Sequence, residues 1–132
     1  MRRRAQATVE MAVAFPLLVL TCLALVQFAT FYQAHNVVEA AVQDGARAAA
    51  ANGATIDDGR RRANAILQAG LGKGVSVSID WSQSTDETIQ AHASGALPTF
   101  FPWFSFKSGV THLNLPLDAT ATMSREHFHA GP

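Results

Sequence analysis

MAVAFPLLVLTCLALVQFATFYQA, residues 11–34, carries no charged side chain, and its reading decides the fold. A helix needs about 20 residues to cross a hydrocarbon core, and this run is built mainly from Leu, Val, Ala and Phe. The expectation is one membrane-spanning helix over residues 11–34. A secretory signal peptide is the competing reading, but its apolar core is usually about 7–15 residues and ends at a small-x-small cleavage site. This run is longer, and residues 27–35 at its end offer no clean Ala-x-Ala. Pro16 removes a backbone hydrogen bond and crowds the carbonyl of Ala12, so a kink or local melting is expected there.

Working outward toward the N-terminus, Arg2, Arg3 and Arg4 stand together with no acid among them. The positive-inside bias then makes residues 1–10 a basic cytoplasmic leader and puts residues 35–132 outside the membrane. Glu10 sits at the threshold of the apolar run. An ionisable side chain costs about 2.5–3.5 kcal/mol at the centre of a spanning helix and less near its ends, so Glu10 calls for a job or a partner.

The 132 residues sum to a formal net charge of +0, but as opposites: a basic leader and an outer part with a slight excess of acids. No basic surface remains there for nucleic acid. The single cysteine, Cys22, cannot form an intramolecular disulfide. As a lipid-anchor site it is disfavoured, because Thr21 stands where such signals carry a glycine-like or alanine-like residue.

Beyond the apolar run the helical pattern continues. In HNVVEAAVQDGARAAAANG, residues 35–53, Val38, Ala41, Val42, Gly45, Ala46 and Ala49 recur at intervals of three and four, and Asn52-Gly53 is a stop signal. One helix of roughly forty residues, about 60 Å long, is expected to join the membrane to the outer domain. Ala41, Gly45 and Ala49 form a small-residue face that admits close helix packing, either on the chain's own sheet or on another subunit. Thr55 followed by Asp58 reads as an N-cap with an acid in the first turn, opening a short second helix with Ala63, Ile66, Leu67 and Leu71 as its apolar stripe. Arg60, Arg61 and Arg62 point in different directions on such a helix and read as a solvated face rather than an anion site.

After Gly74 the period becomes two. Val75, Val77, Ile79 and Trp81 alternate with polar residues, as do Ile89, Ala91 and Ala93 after the turn SQSTDE, and these two runs read as an antiparallel hairpin. Leu113 to Met123 alternates in the same way, and Pro116 argues for an edge. The fold class expected is α+β: a long N-terminal transmembrane helix, a short second helix and a small antiparallel sheet of three or four strands. Between the last two strands, LPTFFPWFSF (97–106) concentrates five aromatics. Phe101 and Trp103 fall on one side of it and are a candidate partner surface.

No catalytic or metal-ligating constellation has convincing spacing. His35, His92 and His112 are scattered, and His127 and His129 lie near the C-terminus. No cofactor is expected, and the chain does not read as an enzyme.

Three segments, AQATVEMAVAFPLLVL (5–20), HNVVEAAVQDGARAAA (35–50) and ATATMSRE (119–126), together resemble the TadE-like proteins, pilin-like minor subunits of tight-adherence (Tad) type IV pilus systems. The resemblance implies a pilin-like fold and a minor pilin or pilus assembly component serving adhesion and secretion. It implies as partners other pilin-like subunits, a prepilin peptidase and the inner-membrane assembly platform, with no small-molecule substrate. Prepilin peptidases cut after a small residue, usually glycine, and leave glutamate fifth in the mature chain. Here Ala5 would supply the small residue and Gln6 the new N-terminus, which makes Glu10 the fifth residue. Glu10 would then pair with the N-terminal ammonium of its own or a neighbouring subunit. The simpler reading leaves it among the headgroups, paired with Arg2 to Arg4. A membrane-anchored binding module that is never processed is the alternative for the whole chain.

Overall fold

The computed structural model describes residues 2–72, 75–98 and 114–125, with side chains from residue 7 onward. In chain order the elements are helix α1 (Arg2–Ala50), helix α2 (Ile56–Gly70) and strands β1 (Ser76–Asp80), β2 (Thr88–Pro98) and β3 (Asn114–Ser124). This is the expected α+β arrangement, with three strands. The chain divides into two compact units, Met1–Thr30 and Phe31–Pro132.

The first unit is helical from Arg2, earlier than the apolar run alone required, because Arg, Ala and Gln are good helix formers. The helix continues without interruption through Pro16, so the local melting expected there does not occur. Met11, Val13, Phe15, Leu17 and Leu18 are each 61–69% exposed. These positions spread around the helix rather than along one stripe, so the segment is apolar all round, as a membrane span is. Two of its hydroxyls turn back on the backbone: that of Thr21 donates to the Leu17 carbonyl (2.8 Å) and that of Thr30 to the Val26 carbonyl (2.9 Å). The helix is long and apolar enough to cross a membrane.

In the second unit, the C-terminal part of α1 and α2 form an antiparallel pair. The connection is tight: Ala54 N–H bonds the Ala51 carbonyl (3.0 Å), and Gly53 adopts φ 75°, a conformation that glycine enters without strain. α2 opens where Thr55 and Asp58 predicted. The Thr55 N–H and hydroxyl both donate to Asp58 Oδ2 (2.9 and 2.8 Å), so the first turn supplies its own anionic acceptor.

The sheet has the order β1-β2-β3, antiparallel throughout. β2 pairs over its full length with β3, from Thr88↔Ser124 to Pro98↔Asn114, and over Ala96 to His92 with β1. β3 is therefore an edge strand among the described residues, which accommodates Pro116. Alternation sends Ile89, Ala91, Ala93, Leu97, Leu117 and Ala121 inward, where they join Val38, Val42 and Ala46 of α1 in one core. Ile89, Leu117, Val38 and Val42 are the largest fully buried side chains. Burying an aliphatic side chain of this size stabilises by about 1.5–3 kcal/mol, so these four anchor the helix on the sheet.

Candidate interaction surfaces

Glu10 lies exposed on α1, one residue before the uncharged run. Residues 5 and 6 belong to the same helix, and their side chains fall outside the described set.

Ala41 and Ala49 are fully buried, with Gly45 buried between them. At Gly45 the neighbours are α2 and Trp81 rather than the sheet. A β-carbon on Gly45 would stand 2.9 Å from Ala63 Cβ, 3.1 Å from the Gly59 carbonyl oxygen and 3.2 Å from Trp81 Cη2. The small residues of α1 thus meet small residues of α2, and the indole closes the seam.

Each arginine of the 60–62 run has a carboxylate partner: Arg60 with Asp57 (3.4 Å), Arg61 with Asp58, and Arg62 with Asp44 across the helix pair (3.7 Å). Asp44 also meets Arg47 (3.9 Å). Such pairs are solvated and individually weak, yet they balance the run's charge locally. Hydrogen bonds from the Thr55 backbone and hydroxyl, then the Arg61 guanidinium, hold the Asp58 carboxyl below the usual 3.8.

Of the aromatic run, Leu97 and Pro98 finish β2; Phe101 and Trp103 lie outside the described residues, as do His112, His127 and His129. His35 stacks on Phe31 with ring centroids 6.3 Å apart. Cys22 is exposed on the apolar helix. Among the described residues, no group of three or more His, Cys, Asp or Glu is placed to hold a metal.

Two surface features escaped sequence reasoning. A groove of about 440 Å³ runs between α2 and β1, with Leu67, Leu71, Val75 and Val77 apolar and Asn64 and Gln68 polar along it. A smaller hollow of about 180 Å³ opens where β1 ends, lined by Asp80, Gln83, Gln90, Ala91, His92 and Thr120. There the Ser82 N–H and hydroxyl (2.9 Å each) hold the Asp80 carboxyl below its usual range. Period-two alternation marks Asp80, Gln90, His92 and Thr120 as outward and polar; their convergence depends on strand register, which alternation does not reveal.

No significant match was found among curated proteins or among solved structures. The family model described as TadE-like protein matches residues 5–47, the stretch that holds Glu10, the uncharged run and most of the small-residue face. Over residues 5–47 the chain is similar to the TadE-like family.

Proposed function

We propose that this chain is a minor pilin or assembly component of a Tad-type pilus, working through protein packing rather than catalysis. One observation carries the reading: a charge-free run, exposed on every side from residue 11 to residue 26, begins directly after the Glu10 carboxylate in the segment matching the TadE-like family. Such a helix calls for lipid or neighbouring helices, and a carboxylate at its threshold can set the register between them. Prepilin peptidase would cut between Ala5 and Gln6, and Glu10 would pair with the ammonium so created. The arginines of the leader orient the protein with its N-terminus in the cytoplasm and residues 35–132 outside. Other pilin-like subunits and the inner-membrane platform are the partners.

Intact mass and N-terminal sequencing of the protein from its native membrane test this reading. A chain beginning at Gln6 is the expected result. A chain retaining Met1 or Arg2 points to the second reading, a permanently tethered binding module, which the polar hollow beside Asp80 favours. A start beyond about residue 30 would remove the membrane helix and overturn both.

A further inference from the structure

β1 ends at Asp80, which faces His92 on β2, and His92 faces Thr120 on β3. Directly opposed residues bring their β-carbons within about 4.5–5.5 Å, so three polar side chains share one row on the outer face of the sheet. Past Asp80 a side chain takes over the ladder. The Ser84 hydroxyl donates to the Gln90 carbonyl (2.9 Å) and accepts the Gln90 N–H (3.1 Å), as a further β1 residue would. This pins the turn to β2 and brings Gln83 into the wall of the hollow.

The polar groups of the hollow divide into two kinds. Asp80 is fixed: its Oδ1 accepts the Ser82 N–H and its Oδ2 the Ser82 hydroxyl, leaving each oxygen able to accept once more. The side chains of Gln83, Gln90, His92 and Thr120 make no hydrogen bond within the chain among the described residues, whereas the nearby hydroxyls of Ser78, Ser82, Ser84 and Thr85 are engaged. Four groups that each donate and accept therefore converge beside an immobilised acceptor. The fixed backbone lowers the ordering cost of a ligand.

We propose that this hollow binds a single neutral sugar ring, with Asp80 accepting from vicinal hydroxyls and Gln83, Gln90, His92 and Thr120 completing the hydrogen bonds. The volume is below the roughly 300–1,000 Å³ of sites for drug-sized ligands, which fits one ring rather than an oligosaccharide. Asp80 opposes an anion. Trp81 is only 5% exposed and offers no face for stacking, so affinity rests on hydrogen bonds and is roughly millimolar. The site is independent of whether the chain enters a filament.

The test is a titration of the isotopically labelled full chain, in a sugar-free detergent, with methyl α-glucoside, methyl β-galactoside and N-acetylglucosamine in turn, followed by amide chemical shifts. The expected result is saturable shifts at residues 83, 90–92 and 120 with at least one sugar. The double variant Gln83→Ala/Thr120→Val, which removes exposed groups that make no hydrogen bond among the described residues, should weaken that binding by about tenfold or more. Asp118→Asn, on the same face but outside the hollow, should leave it unchanged. Absence of saturable shifts with all three sugars, or equal binding by the double variant, would overturn the proposal.

Discussion

Gly59 of α2 lies so close to Gly45 of α1 that a β-carbon added to it would stand 2.6 Å from the Gly45 carbonyl oxygen. It would also meet Ala49 Cβ at 2.7 Å and Trp81 Cη2 at 3.3 Å. Backbone cannot yield as a flexible side chain would, so the two helices must separate. Gly59→Ala is expected to destabilise the outer unit by about 1–3 kcal/mol, the usual range for overpacking. Gly72→Ala is the control: nothing lies within 4 Å of its β-carbon and its φ is not left-handed, so it should be neutral or slightly stabilising. Thermal unfolding of the full chain in detergent reads both.

Acid should weaken the start of α2. The Asp58 carboxyl is held below 3.8 by the Thr55 backbone and hydroxyl hydrogen bonds first, then by Arg61. A group whose folded pKa is depressed contributes stability that is fully present above its unfolded value and is lost as pH falls through the folded one. The stability lent by Asp58 is therefore intact at neutral pH and fades from about the ordinary carboxylate pKa downward. Asp80, held down chiefly by Ser82, acts with the same sign. Asp58→Asn should flatten the fall in denaturant midpoint between about pH 5 and pH 3 relative to the parent. An unchanged slope would mean that other carboxylates dominate.

The two faces of β3 should respond differently to substitution. Leu117 is fully buried in the core, while Thr122 lies on the exposed face of the same strand. Leu117→Ala should cost about 2–5 kcal/mol, and Thr122→Val should stay within about 0.5 kcal/mol. Equal effects in chemical denaturation would contradict the assigned register.

Much of this architecture is legible because periodicity reports which face is buried. Val38, Ala41 and Val42 at helical spacing, and Ile89, Ala91 and Ala93 at period two, all lie in the core. What periodicity omits is which neighbour covers a face. The groove of small residues at Gly45 is filled by α2 and Trp81, a pairing set by the short turn at Gly53 and by two glycines distant in sequence. Gly95 is a similar case: Val77, its partner on β1, would lie 2.8 Å through Cγ2 from an added β-carbon, so the residue is fixed by register. Glu10 stood out because a charge next to hydrocarbon contrasts with its surroundings. The hollow at Asp80 did not, because Gln83, His92 and Thr120 are unremarkable until the ladder brings them together.

Glu10 itself admits a test that separates its two readings. If it pairs with the ammonium of a processed N-terminus between packed helices, the pair is desolvated, and removing one partner strands the other charge at a cost of about 3 kcal/mol or more. That corresponds to a fall of over a hundredfold in incorporation at equilibrium. Glu10→Gln keeps the side chain's size and removes only the charge, so both Glu10→Gln and Glu10→Ala should reach the membrane at normal levels yet vanish from sheared pilus fractions. If Glu10 instead rests among headgroups beside Arg2 to Arg4, the pair is solvated and worth no more than about 1 kcal/mol. Both variants would then appear in the sheared fraction at close to the parental level, and the assembly role of this carboxylate would be ruled out.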